Sequence, residues 1–294
     1  MHLFQVGAGS GGMAVLDLLV RDSRVTCVTL VEPDVYAPHN VYRHLFTPSC
    51  VGRLKAELAA EWVSAIRPDI AFETLVADIT DPTQQYVFAR LATDCDFGVC
   101  AADNELAKFA FDALMRAAGK PWTLGEVLSG GIGGWVHRFA PGGACYGCVA
   151  SHLKREVTEQ PAALPPNYND PAATLPEATI PASKASIAVI AGLHAMVTMG
   201  EPLLPTPSPT QGGGERQTHP QPLQGGVGGG SASSESILFS LQAVPGVFDS
   251  AFRSHRLRVP RSPTCLTCGT AAHIPTGEQL DAAVDDALAR LGAR

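Results

Sequence analysis

The chain has 294 residues, enough for one large α/β domain or two small ones. Its net charge of −7, with no basic run, argues against a nucleic-acid partner. With 46% apolar and 17% charged residues the composition is globular rather than disordered. The opening MHLFQVGAGSGG has neither a basic segment nor a long apolar core, so no secretory signal is read there. The longest apolar stretch, 187–199, is too short to span a bilayer. A soluble cytoplasmic protein is expected, with no membrane association. In that compartment the eight cysteines are read as thiols or metal ligands rather than disulfides.

In chain order, HLFQV (2–6) predicts a strand, and GAGSGG follows it directly. Residues 11–21 have helical spacing, with Val15, Leu18 and Leu19 on one side. The fully apolar 25–31 suits a parallel strand buried on both faces. Helices are expected at 52–66 and 82–92 and strands at 70–76 and 96–100. The clearest helix is 104–118, with Asp103 as its N-cap. This alternation predicts a parallel sheet with helical crossovers over residues 1–150. Beyond it, 161–182 carries six prolines and reads as a long loop. Residues 185–199 read as a buried helix. The stretch 202–234, with six prolines and eight glycines, reads as a flexible insertion. SILFSLQ and FDSAFRSHRLRV suggest a hairpin that completes a second unit, 151–269. The tail, 270–294, is expected to hold an amphipathic helix at 276–291.

Gly7, Gly9 and Gly12 form GxGxxG between a strand and a helix. Glycines permit a tight turn and close approach of an anion to the free N–H groups of the helix start. Glu32 ends the second strand, twenty residues beyond Gly12, where a carboxylate accepts ribose hydroxyls. This set serves NAD as well as ATP, so the choice falls to later residues. Asp34, Asn40 and Arg43 follow the second strand, and Lys55 lies early in the next helix. Cations beside a phosphate cradle suit a triphosphate, although such residues also occur in solvated loops. Asp103 follows the strand at 96–100, where it can hold Mg²⁺ as well as cap a helix.

Cys145-x-x-Cys148 and Cys265-x-x-Cys268 are two turn-borne pairs that can converge on a structural Cys₄ zinc, stapling distant parts of the chain. Cys27, Cys95 and Cys100 are read as core thiols, Cys50 as the most exposed, and His194 as a core histidine.

The ordered set GAGSGG, VEPD, HNVYRH, Lys55, Asp103-Asn104, CYGC and CLTCG resembles the ubiquitin-activating-enzyme-like adenylyltransferases, the MoeB/ThiF/HesA family, over about residues 2–269. The resemblance implies a Rossmann-like sheet extended by antiparallel strands, assembled as a homodimer or heterodimer. It implies ATP·Mg²⁺ and structural Zn²⁺ as cofactors. It implies adenylylation of the C-terminal glycine carboxylate of a ubiquitin-like β-grasp protein, or of a short peptide. By the same resemblance Gly7, Gly9 and Gly12 cradle phosphates, and Glu32 holds the ribose. Asp34, Asn40, Arg43 and Lys55 line the phosphate path, and Asp103 holds Mg²⁺. Arg43, Lys55 and Asp103 are the residues expected to carry catalysis.

Four features depart from the family pattern. His44 stands in place of Gln, and Lys108 in place of the Arg of DNxxxR. The chain starts at its first strand without an N-terminal arginine arm, so another residue replaces it or the chain belongs to a larger or heteromeric protein. Residues 151–264 contain no cysteine, which predicts activation without a crossover-loop thioester. Two alternatives remain: an NAD-dependent oxidoreductase with structural zinc, and a non-catalytic partner subunit.

Overall fold

The computed structural model describes residues 1–153, 181–200 and 233–269. The elements run β1 (His2–Val6), α1 (Ser10–Val20), β2 (Cys27–Val31), α2 (Lys55–Ile66), β3 (Ala71–Leu75), α3 (Gln85–Asp94), β4 (Phe97–Cys100) and α4 (Glu105–Ala117). They continue with β5 (Trp122–Val127), β6 (Gly133–Phe139), α5 (Tyr146–His152), α6 (Lys184–Thr198), β7 (Ser233–Ser240) and β8 (Arg253–Pro260). Among the described residues, eight strands form one sheet in the order β3-β2-β1-β4-β5-β6-β7-β8. The first five are parallel and the last three antiparallel. Parallel strands buried on both faces need apolar side chains on alternate positions of both sides, which β1 supplies. Leu3 packs with Leu16, Leu19, Val28, Val63 and Ala195 on the face of α1, α2 and α6. Phe4 packs with Phe88, Phe111, Trp122 and Tyr146 on the face of α3, α4 and α5.

The expected mostly parallel sheet with an antiparallel extension is present, and the hairpin is β7–β8. Leu18, expected on the buried side of α1, is instead 42% exposed, because Met13 and Leu16 share the inward face with Val15 and Leu19. The N-cap of α4 is Asn104, whose Oδ1 accepts from Ala107 N at 2.7 Å, rather than Asp103. Strands β5 and β6 were not anticipated; Gly125, Gly133 and Gly134 hide their strand pattern. Each of these glycines is needed for close packing. A Cβ at Gly125 would meet His194 Nδ1 at 2.4 Å, and one at Gly134 would meet the Glu126 carbonyl at 2.6 Å. The expected loop at 161–182, insertion at 202–234 and tail helix at 276–291 lie wholly or almost wholly outside the described residues. Among the described residues no helix is long and apolar enough to cross a membrane.

Candidate nucleotide site and cysteine knuckle

The sheet order reverses between β1 and β4, and in open α/β sheets the crevice at such a reversal is where ligands bind. A cleft of about 720 Å³ lies there, at the carboxyl ends of the parallel strands. Its wall includes Gly7, Gly9, Glu32, Asp34, Asn40, Arg43, Lys55 and Asp103, so eight of the nine expected nucleotide residues meet at one place.

The three glycines have different physical reasons. Gly7 has φ +94°, and a Cβ on it would press on the Ala101 carbonyl at 2.8 Å. A Cβ on Gly12 would lie 2.2 Å from the Gly7 carbonyl oxygen, so Gly12 serves the packing of α1 against the turn and is not part of the cleft wall. Gly9 has nothing within 4 Å of a Cβ position. The protein's own packing does not demand a glycine there; the space in front of it belongs to the cleft. Gly9 is also the N-cap of α1 with no side-chain cap, so the first N–H groups of the helix face open space. Gln5 fastens this turn, donating from Nε2 to the carbonyls of Gly7 and Gly12 at 2.9 Å each. A buried glutamine within a strand was the sequence signal for it.

Glu32 is 4% exposed and accepts from the N–H of Ala8 and, at 2.9 Å, from that of Asp34. Burial pushes its pKa above the ordinary carboxylate value, against the opposing pull of Lys55 and the two N–H groups. Lys55, also buried, places Nζ 2.7 Å from Asp34 Oδ2 and 3.9 Å from Glu32 Oε1. Asn40 is buried and its Oδ1 accepts from Ala37 N at 2.8 Å, so it shapes the loop that carries Arg43. His44 is buried beside Tyr36 and Phe46, and its Nε2 lies 3.0 Å from the Ala8 carbonyl. Burial lowers its pKa to about 4, so the ring is neutral at pH 7 and donates from Nε2, tying this loop to the glycine turn. Asp103 is exposed within the cleft, and a hard divalent cation with oxygen ligands suits such a carboxylate.

Two wall residues escaped sequence reasoning as a pair. Lys108, buried on α4, donates to Glu105 Oε1 at 2.7 Å and to Glu126 Oε1 at 2.6 Å. Burial works against its charge, yet the carboxylates outweigh that and raise its pKa. Glu126 went unnoticed with β5. His194 is a core histidine, as expected, with Nε2 3.0 Å from Thr123 Oγ1, and it also reaches the cleft wall.

Cys145, Cys148, Cys265 and Cys268 converge, their sulfurs within 4.8 Å of one another. The closest pairs are 3.8 Å (Cys145–Cys148), 3.6 Å (Cys145–Cys265) and 3.5 Å (Cys148–Cys268). A tetrahedron with Zn–S bonds of about 2.3 Å has sulfur–sulfur edges of about 3.8 Å, so the donor set fits zinc in kind and in spacing. Four thiolates leave no open coordination position, which makes such a site structural. Of the other thiols, Cys95 and Cys100 are buried as expected, whereas Cys27, at the start of β2, is partly exposed like Cys50.

The ThiF family model matches residues 1–212. Ubiquitin-like modifier-activating enzyme 5 of Drosophila grimshawi is 29% identical over 153 residues, which cover 49% of this chain and 38% of that protein. The Dictyostelium discoideum protein of the same name is 28% identical over 153 residues, covering 49% and 40%. The chain thus spans about two fifths of the length of these curated relatives. Among solved structures, Escherichia coli MccB superposes with a TM-score of 0.58 at 17% identity, over 92% of this chain and 65% of that one. MccB solved with ATP gives a TM-score of 0.56 at 16% identity, over 91% and 66%. At such identity the likeness to MccB is one of fold. Because the family model spans more than two thirds of its length, the chain belongs to the ThiF family.

Proposed function

We propose that the chain activates a C-terminal carboxylate by ATP-dependent adenylylation, the acceptor being a ubiquitin-like protein ending in Gly-Gly or a peptide. The observation that carries this reading is the meeting of Arg43, Lys55 and Asp103 with the glycine turn and Glu32 in one cleft. An NAD-dependent oxidoreductase uses the turn and the acid but leaves Arg43, Lys55 and Asp103 without work. The names of the curated relatives agree with an acceptor of the ubiquitin-like class. MccB, solved with ATP and with N-formylated MccA, keeps a peptide acceptor in view.

In this reading the phosphates lie against the N–H groups at the start of α1, with Gly9 giving them room. Glu32 accepts the ribose hydroxyls. Lys55 and Arg43 offset the negative charge through which an anionic nucleophile must pass. Asp103 would hold Mg²⁺, whose charge would further offset that of the phosphate oxygens. The acceptor carboxylate is already ionised at neutral pH, so no general base is required. Its oxygen bonds to the α-phosphorus, the bond from that phosphorus to the bridging oxygen breaks, and pyrophosphate leaves with the electron pair. An acyl adenylate remains. No cysteine occurs between 151 and 264, so the activated acyl group passes on without a thioester in that stretch.

The test is label transfer from ATP marked at the α- or the γ-phosphate to a candidate acceptor. Label from the α position alone should reach the acceptor, and Lys55→Ala and Asp103→Ala should each abolish it. Binding of NAD but not ATP supports the oxidoreductase instead.

A further inference from the structure

Helix α4 meets the cleft at its start and the cysteine knuckle along its flank, and polar contacts join the two places. Tyr146 is fully buried inside the knuckle, between Cys145 and Cys148. Its hydroxyl donates to Glu105 Oε2 at 2.7 Å, and its N–H donates to Asp112 Oδ1 at 3.0 Å. Glu105 Oε1 accepts from Lys108, and Lys108 also donates to Glu126 on the cleft wall. Glu126 Oε2 lies 3.3 Å from His137 Nε2, and His137 Nδ1 lies 2.8 Å from Ser236 Oγ. Ser236, His137 and Glu126 have the composition of a hydrolytic triad, but Ser236 and His137 are at 0% exposure and no substrate reaches the hydroxyl. What remains is the arm from Glu126 through Lys108 and Glu105 to Tyr146.

The first turn of a helix lacks intrahelical partners for its N–H groups and is readily displaced. Glu105 and Lys108 lie on the first turn or so of α4, immediately after Asp103 and Asn104. Charge-assisted hydrogen bonds are about twice as strong as neutral ones, and Lys108, itself buried, makes two of them. We infer that Tyr146 and Lys108 are positioning residues that fasten the Asp103 end of the cleft to the four-cysteine knuckle, so that the order of the knuckle fixes where α4 begins. This rests on the adenylylation reading for its functional consequence.

The experiment compares wild type with Tyr146→Phe in the full chain, measuring zinc content, ATP affinity by calorimetry, and deuterium uptake at amides 103–108. The variant should keep its zinc, exchange faster at 103–108, and bind ATP ~3- to 10-fold more weakly, a fraction of the lost bond because that bond holds the helix start and not the nucleotide. Lys108→Met, which leaves the knuckle untouched, should weaken ATP to a similar extent, and Lys108→Arg should restore it. Unchanged uptake and affinity in Tyr146→Phe overturn the inference, as does loss of zinc, which makes the tyrosine part of the knuckle alone. A wild type that binds no ATP overturns the proposed function and this inference together. A wild type that binds ATP, with both variants matching it, overturns the inference alone.

Discussion

The buried ammonium of Lys55 is held 2.7 Å from Asp34 Oδ2, and the Asp34 carboxylate is itself largely open to solvent. A pair with one exposed partner is weak and easily exchanged. On the proposed reading, the triphosphate takes the place of Asp34 at Lys55, while Glu32 behind the lysine stays fixed by two N–H donors.

Lys55→Ala removes the cation where charge develops and should lower the pyrophosphate-exchange rate by about 10²-fold or more. It also strips the buried Glu32 of its nearest positive neighbour, which should cost about 2 kcal/mol of stability. Kinetics and urea midpoints check both effects. A variant that exchanges within a few-fold of wild type places the phosphates elsewhere.

The glycine turn separates packing from binding. Gly12→Ala drives a methyl group into the Gly7 carbonyl and should destabilise the fold by about 1–3 kcal/mol. Gly9→Ala meets no protein atom within 4 Å, so its melting temperature should stay close to that of wild type while ATP binding weakens. Equal loss of stability in the two variants would refute this division.

Acid should weaken the fold through two buried histidines. Burial lowers the pKa of His44 and of His194 to about 4, and the unfolded chain titrates near the ordinary value of 6.5. A depressed folded pKa gives stability that is complete above the unfolded value and lost as pH falls toward the folded one. The loss is about 2 kcal/mol per histidine near pH 5. Glu32 and Asp112, both raised by burial, act in the opposite sense, so the informative comparison is between wild type and His194→Gln. The variant keeps a side-chain amide toward Thr123 and should show a shallower fall in urea midpoint from pH 7 to 5. Parallel curves would contradict the assignment.

The knuckle should carry about one zinc per chain by elemental analysis. Cys265→Ser should lose the metal and lower the melting temperature, because this cysteine belongs to the half of the staple that follows β8. Wild-type protein without zinc would leave the four sulfurs as thiols.

Much of this arrangement could be read from residue order, and the exceptions have physical causes. The strand–turn–helix at 2–20 was legible because an apolar run, a glycine turn and helical spacing adjoin one another. Arg43 and Asp103 were legible as residues that follow strand ends in a parallel sheet, where ligands bind, and Lys55 as an early residue of the next helix. Glu126 was not, because its strand is interrupted by Gly125, which leaves room for the His194 ring. The Lys108–Glu126 contact joins residues eighteen positions apart on a helix and a strand, and no periodicity announces it. Asp103 and Asn104 are both good caps, and only backbone geometry decides that Asn104 takes the helix and leaves Asp103 to the cleft.

The most direct measurement is ATP–pyrophosphate exchange by the full chain, with and without a ubiquitin-like protein ending in Gly-Gly or a peptide with a free C-terminal carboxylate. The account predicts exchange that depends on the acceptor's free carboxylate and disappears when that carboxylate is amidated. Exchange indifferent to the acceptor, or unaffected by both Lys55→Ala and Asp103→Ala, would contradict it.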